Sequence, residues 1–374
     1  MIYILFFVLS CIYLYTQRLS HLRVTDGGFS YPNNRTSTFA IIFVVIAFSA
    51  LAGLRDVSIG SDTKNYPIMA YQYAEGEPDY SYYLELLAFY VFMKEVGYGT
   101  LVYICAHLFP HFNFMLFISA LIINGGYMYF LHYHSKKYNI PIWLPWLFYC
   151  CMMFPNTMNL AKQSIAISLG LIAYVKWDQG FNKSALILLS IATTFHFTSI
   201  TMLVYVFERL IKKKWLRYGF VLILLLTVLG NHFFITQVLT TIPILGRFTV
   251  YLENEDGNVA MFDLLYSLLL YSILFLYCKP KRFKNRYASQ YKSLMYLMAL
   301  YILFLLFNGI SAQAGRMGMY IMPMMFVYVP LFFQQSKKCR PYKPILAFSL
   351  IFYWFFLVIH QGATETYPYM PFWE

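Results

Sequence analysis

The feature that most constrains this chain is a series of long apolar runs that recurs along its whole length. Examples are Phe39–Leu54, Arg217–Ile235, Met261–Cys278, Leu294–Phe307, Ile321–Phe333 and Ile345–Ile359. Many of the runs approach the roughly 17–20 residues that a helix needs to cross a hydrocarbon core. Charged residues make up only 12% of the chain, compared with about 25% in an ordinary soluble domain. The sequence therefore predicts an all-α, polytopic integral membrane protein, with residues 1–374 forming one transmembrane domain.

The first apolar run and the cysteines fit the same interpretation. The segment Met1–Gln17 has neither a basic start nor a small-residue cleavage site, so we expect a retained span and not a signal peptide. The six cysteines mostly fall in or beside apolar runs, without a CxxC pair or metal-ligand spacing. They are expected to act as small membrane hydrophobes, and no metal site is predicted.

Basic residues cluster at six places, which together hold 22 of the 28 Lys and Arg. Because cytoplasmic loops are enriched in Lys and Arg, all six clusters are placed inside. This distribution explains the net charge of +12 by topology, and no nucleic-acid partner is expected. It predicts about twelve crossings, within a range of roughly 11 to 14, with both termini outside. Residues 55–110 and 237–262 are then predicted to be periplasmic loops.

Two segments lack the uninterrupted apolar length of a membrane-spanning helix. Tyr83–Phe109 is interrupted by Lys94 and Glu95, and it is predicted to be a periplasmic or re-entrant helix pair. Ser184–Ile211 must leave and return to the cytoplasm, which places its midpoint near His196 toward the outer face. Interrupted segments persist in membranes where buried protein or water satisfies their backbone. Both segments therefore indicate an internal, wet cavity.

Six cations remain on the outer side: Arg55, Lys64, Lys94, Lys162, Arg247 and Arg316. Arg55 opens the loop that contains Asp62, directly after an apolar run. Lys162 is predicted to lie in the first turns of a helix, where a cation and a helix N-terminus together suit a phosphate group. For both residues the alternative is an interfacial anchor whose charge reaches the headgroups.

A histidine and two arginines complete the set of candidates. His196 lies between apolar runs and is bordered by hydroxyl residues; an intramembrane histidine is a functional candidate, and an imidazole can accept a proton near neutral pH. The alternative is a buried His bonded to those hydroxyls. Arg316 follows small residues at the start of a span. Arg247 lies in an outer loop with Glu253, Glu255, Asp256 and Asp263, where it suits bidentate phosphate binding or is a solvated loop charge.

Several activities are not supported by any motif. The chain has no GxxxxGK[ST], GxSxG or HExxH pattern, so neither ATP nor a tightly bound transition metal is indicated. No cofactor is expected. Any chemistry must therefore be driven by an activated substrate.

Four short patterns, in order along the chain, resemble a known family. They are R-x4-G-S-D-T-x-x-Y from Arg55 to Tyr66, the helix start Asn159–Ala166, the turn Phe195–Thr198, and the basic span start Gly315-Arg316. Together they are similar to the EpsG/Wzy-type exopolysaccharide polymerases. In the second pattern Lys162 stands where the family usually has Arg. The positive charge is kept, but the bidentate hydrogen bonding of a guanidinium is lost.

The resemblance implies a GT-C-like multispanning glycosyltransferase in a bacterial inner membrane, with its site facing the periplasm. It would transfer a growing glycan from undecaprenyl diphosphate onto the non-reducing end of a lipid-linked repeat unit, without a metal. Membrane lipid and a chain-length regulator are further expected partners. The implied base is His196, with Asp62 as the alternative base or as its orienting partner. The implied diphosphate and substrate ligands are Arg55, Lys162, Arg247, Arg316, Thr63 and Tyr66.

Other functions compete with this one. A ligase of the O-antigen type would use the same donor with a different acceptor. A lipid-linked oligosaccharide flippase would favour internal repeats and acids deep in spans, and neither is evident. A membrane O-acetyltransferase would need an inward-facing His-Arg pair, which the predicted topology does not provide.

Overall fold

The computed structural model describes residues 2–19, 23–25, 28–30, 36–91, 93–202, 261–278, 287–308 and 316–373. These residues form two compact units. Unit 1 comprises Met1–Ile200 together with Pro344–Glu374, and unit 2 comprises Thr201–Lys343. Each unit has its own packed interior.

Unit 1 is built almost entirely of helices. The first group is α1 (Ile2–Leu19), α2 (Thr38–Gly53), α3 (Ser61–Asn65), α4 (Pro67–Gly76), α5 (Tyr80–Tyr90) and α6 (Val96–Leu108). The second group is α7 (Phe112–Tyr138), α8 (Trp143–Met152), α9 (Phe154–Asn159), α10 (Ala161–Asp178) and α11 (Asn182–Phe195). A 3-10 helix, Phe197–Met202, follows α11, and a short hairpin of β1 (Arg23–Thr25) and β2 (Gly28–Ser30) lies between α1 and α2.

Small residues allow the central helix α7 to approach its neighbours closely. A Cβ added at Gly126 would lie 2.7 Å from the Ser168 Cβ of α10, and one added at Gly53 would lie 2.6 Å from the Phe117 Cβ. Such contacts are typical of helices packed in membranes, where van der Waals packing drives association. A buried polar link joins three helices, because Asn124 donates to Ser49 Oγ at 3.1 Å and accepts from Tyr149 Oη at 2.5 Å. Helices α2, α8 and α10 therefore pack closely around α7.

Unit 2 contains α12 (Met261–Tyr277), α13 (Ala288–Phe307), α14 (Met322–Gln335) and a 3-10 turn, Arg340–Tyr342. Cys278 follows α12 directly and Cys339 follows α14, with their sulfur atoms 3.7 Å apart. All six cysteines of the chain are buried free thiols, in agreement with the prediction that they serve as small hydrophobes.

The last helix, α15 (Lys343–Trp354), continues as a π-helix, Phe355–His360, and ends in the 3-10 turn Ala363–Glu365. Its outer face is apolar: Ile345, Phe348 and Phe352 are each at least half exposed. An exposed row of large apolar side chains on a long helix is expected where lipid replaces water as the solvent.

Three helical segments among the described residues are long and apolar enough to cross a bilayer: Phe112–Tyr138, Ala288–Leu306 and Arg340–His360. Five shorter apolar helices lie at Ile2–Gln17, Thr38–Gly53, Val96–Leu108, Trp143–Met152 and Met261–Tyr277. The predicted helical architecture is confirmed, with the hairpin as its exception in the described part. The count of twelve crossings stays a prediction.

The two irregular segments are broken in the structure, as their sequences indicated. Residues 83–109 divide into α5 and α6, with a break that contains Glu95. The segment that begins at Ser184 breaks at His196, where α11 gives way to the 3-10 helix. Whether either segment crosses the bilayer stays a prediction, and the predicted loop 237–262 lies almost entirely outside the described residues.

Candidate functional site

Arg55, the first cation of the outer loop, is buried with 2% of its surface exposed. Its guanidinium donates to the Ala52 carbonyl, to the Met158 carbonyl at 2.7 Å and to Thr63 Oγ1 at 3.4 Å. Both carbonyls lie in the last turns of helices, α2 and α9, where the backbone carries partial negative charge. Burial lowers the pKa of Arg55 to about 10, so the side chain remains charged at neutral pH. Arg55 therefore joins two helix ends to the loop between them.

The loop after Arg55 packs directly on the end of α9. Gly60 has a φ of +86°, which favours glycine, and a Cβ there would lie 3.2 Å from the Asn159 Cα. The Asp62 amide donates to Asn159 Oδ1 at 2.9 Å, and Thr63 Oγ1 donates to the Met158 carbonyl at 3.2 Å. Two of the four sequence patterns are thus in direct contact.

The C-terminal segment, residues 361–373, holds the same loop from the other side. The Asp56 amide donates to the Met370 carbonyl at 2.8 Å, and the Gly60 amide donates to the Glu365 carbonyl at 3.0 Å. Tyr369 Oη donates to the Leu51 carbonyl at 3.0 Å. Sequence reasoning assigned no role to this segment, because its contacts with the loop are backbone hydrogen bonds, which leave no pattern of side chains in the sequence.

Four side chains meet beside this loop, and we name them the Glu95 cluster: Tyr66, Glu95, Lys162 and His196. Glu95 Oε2 lies 3.4 Å from Lys162 Nζ, and Glu95 Oε1 lies 3.5 Å from His196 Nδ1. Lys162 Nζ also lies 5.1 Å from the centre of the Tyr66 ring, within the range of a cation–π contact. Three of the four sequence patterns contribute a residue to this cluster, and Glu95 comes from outside them.

Local structure explains why these side chains converge. Lys162 is the second residue of α10, and His196 is the residue that ends α11. Glu95 immediately precedes α6, which packs on α11 so closely that a Cβ added at Gly97 would lie 2.3 Å from Thr194 Oγ1. This contact between α6 and α11 sets Glu95 beside His196.

The cluster combines charge with partial exposure. The side chains of Lys162, Glu95 and His196 are 22%, 23% and 27% exposed. Burial by itself would raise the pKa of Glu95, but His196 and Lys162 outweigh it and lower the pKa to about 2. Glu95 is therefore ionised at neutral pH. The arrangement offers a potential base, a cation and a carboxylate that contacts both.

The remaining candidates of unit 1 lie in the loop. Asp62 occupies the first turn of α3 and is half-buried, while Thr63 is buried at 1% exposure. The carboxylate that the structure places against His196 is that of Glu95. The predicted roles of Asp62, as base or as orienting partner of His196, stay predictions, as does substrate binding by Arg55, Thr63 and Tyr66.

Arg316 belongs to unit 2, where it lies in a helical turn before α14. In the same turn Gly318 packs on Tyr301, since an added Cβ would lie 3.0 Å from two ring atoms. Tyr301 Oη donates to Asp263 Oδ2 at 2.8 Å. Asp263 was expected in a loop with Arg247, but it lies in the first turn of α12 and is buried. Arg247 lies outside the described residues.

Sequence reasoning missed Glu95 and Asn159. Glu95 carried one usable signal, since an acid that interrupts an apolar segment is a functional candidate in a membrane protein. Asn159 was noted as part of a pattern, without a role. No group of three or more His, Cys, Asp or Glu suited to a metal ion occurs within the described ranges.

Comparison with known proteins identifies the family without adding a close relative. No curated protein and no solved structure matches the chain. The model of the EpsG family matches residues 38–371, a span that contains all four sequence patterns. The resemblance drawn from those patterns is confirmed, and the chain is a membrane protein that belongs to the EpsG family.

Proposed function

We propose that this protein is a polysaccharide polymerase, which transfers a growing glycan from undecaprenyl diphosphate onto the non-reducing end of a lipid-linked repeat unit. One observation carries the proposal. In a chain of the EpsG family, three sequence patterns meet at a cluster of a histidine, a cation and a carboxylate. The proposed setting is the outer face of a bacterial inner membrane, with no metal or cofactor and with a chain-length regulator as a further partner.

The chemistry assigned to the cluster is a displacement at the anomeric carbon of the donor. The acceptor hydroxyl oxygen attacks that carbon, the bond to the diphosphate oxygen breaks, and the electron pair leaves with the diphosphate. His196 takes the hydroxyl proton on Nε2, while its Nδ1 faces Glu95 at 3.5 Å. Lys162 stabilises the charge that develops on the leaving diphosphate, which fixed cations do most effectively in a poorly hydrated site. Arg247 and Arg316 remain proposed diphosphate ligands.

The test is chain growth by the purified protein in detergent or nanodiscs. We expect incubation with undecaprenyl-diphosphate-linked repeat units to give a ladder of products on a gel. His196→Ala should retain the fold and reduce chain growth by about 100-fold or more, because general base catalysis contributes roughly that much. His111→Ala, at an exposed histidine outside the cluster, is the matched control.

Three outcomes would redirect the proposal. Normal ladders from His196→Ala would remove the histidine from the mechanism. Transfer of finished glycan to an acceptor other than a repeat unit, with no ladder, would favour the ligase alternative. Movement of the lipid-linked unit across vesicles without any glycosidic bond formation would favour a flippase.

A further inference from the structure

The carboxylate of Glu95 contacts both the proposed base, His196, and the proposed diphosphate ligand, Lys162. Its two oxygens are divided between them, with Oε1 facing His196 Nδ1 at 3.5 Å and Oε2 facing Lys162 Nζ at 3.4 Å. Both distances exceed those of well-formed charge-assisted hydrogen bonds, which are about 2.7–2.9 Å. Either contact can therefore shorten when the other is released.

The position of Glu95 is set by the backbone and not by its own charge. It precedes α6, and its carbonyl accepts from the Gly99 amide at 3.0 Å. The tight contact between Gly97 and Thr194 holds this end of α6 against α11. Glu95 therefore stays next to His196 even when Lys162 is engaged elsewhere.

Lys162 is a partly exposed cation whose charge faces side chains. Its ammonium has one carboxylate oxygen and the face of the Tyr66 ring as neighbours, and its side chain is 22% exposed. A diphosphate carries more negative charge than a single carboxylate and offers more acceptor oxygens. An incoming diphosphate thus competes with Glu95 for the same ammonium.

We infer that Glu95 is a positioning residue that restrains both His196 and Lys162 in the resting protein and yields Lys162 to the donor diphosphate. Once released from Lys162, the carboxylate interacts with the imidazole alone. It then orients Nδ1–H and stabilises the positive charge that the imidazole acquires when Nε2 takes the acceptor proton, as an acid partner does for a catalytic histidine. Binding of the donor is thereby coupled to activation of the base. The inference rests on the proposed function.

The inference predicts opposite effects of one substitution on two measurements. Glu95→Gln removes the competing charge, so affinity for farnesyl diphosphate, used as a soluble prenyl diphosphate probe, should rise by about tenfold, equivalent to roughly 1.4 kcal/mol. The same variant loses the partner of the imidazolium, so kcat for chain growth should fall by about 100-fold. A merely structural role for Glu95 would lower both quantities together.

The controls separate charge from folding. Glu85→Gln, at an exposed acid on α5, should leave probe affinity and kcat unchanged. Lys162→Met should abolish most probe binding while thermal unfolding stays near that of the unchanged protein. Glu95→Asp, which retains the carboxylate on a shorter stem, should recover part of kcat but not the tighter binding.

The outcomes distinguish this inference from the proposed function. Weaker or unchanged probe binding by Glu95→Gln would overturn the role assigned to Glu95, even if chain growth is observed. Tighter binding by that variant, in a protein that produces no ladders from any repeat unit, would support the coupling and contradict the polymerase. Probe binding that is unaffected by Lys162→Met would also overturn the inference.

Discussion

Arg55 and Lys162 carry the same charge and come from two patterns of one family, yet the structure surrounds them with opposite partners. Arg55 is 2% exposed and donates to backbone carbonyls at two helix ends. Lys162 is 22% exposed and faces a carboxylate and an aromatic ring. Both were predicted to bind a diphosphate.

The difference distinguishes a cation that stabilises the structure of the site, Arg55, from one whose charge is accessible to a ligand, Lys162. Backbone carbonyls cannot move away without disrupting the fold. The guanidinium nitrogens that donate to them are therefore not available to a ligand. A side-chain carboxylate at 3.4 Å can be exchanged for a stronger anion. Arg55 therefore organises the loop, whereas Lys162 is the better placed of the two for the proposed binding of a diphosphate.

The largest effect is expected from removing the buried cation. Arg55→Met should lower the free energy of unfolding by about 3 kcal/mol, because it leaves the Ala52 and Met158 carbonyls without a charged donor in a buried position. Thermal or denaturant unfolding in detergent measures this. Lys64→Met, at an exposed cation of the same loop, should have little effect. Unchanged stability together with lost probe binding would show that Arg55 is a ligand after all.

A smaller effect is expected in the loop that Arg55 supports. Gly60→Ala should cost about 1–2 kcal/mol of stability, because the φ of +86° is unfavourable for a residue with a Cβ and the added atom would lie 3.2 Å from Asn159. Gly76→Ala is the control, since its added Cβ would meet nothing within 4 Å. Equal unfolding temperatures for the two variants would mean that the contact between the loop and the end of α9 adjusts to the added methyl group without a loss of stability.

The smallest effect concerns the ring beneath Lys162. Tyr66→Leu should weaken farnesyl diphosphate binding by a factor of about two to five, because the ring holds the Lys162 ammonium in position for the probe and a partly exposed cation–π contact is worth roughly 0.5–1 kcal/mol. Tyr66→Phe keeps the ring and should bind the probe normally. Equal losses in both variants would instead assign the effect to the tyrosine hydroxyl.

Part of the site was predictable from the sequence. The break at His196 and the helix start at Lys162 were predictable, because each interrupts an apolar run with polar residues and the structure has a helix boundary at both. Glu95 was noted as an interruption only. Its partners lie on α10 and α11, and nothing in the local pattern around Glu95 identifies them.

The sequence by itself determined the membrane class, the helical architecture and the family, since these depend on composition, on apolar runs and on short patterns read in order. Tertiary structure alone decided that Arg55 is buried, that residues 361–373 close on the first loop, and that one carboxylate lies between Lys162 and His196. The physical reason is that apolar runs and short patterns are local along the chain, whereas burial and side-chain partners depend on which helices pack together. In this chain the close contact between Gly97 of α6 and Thr194 of α11 brings Glu95 beside His196.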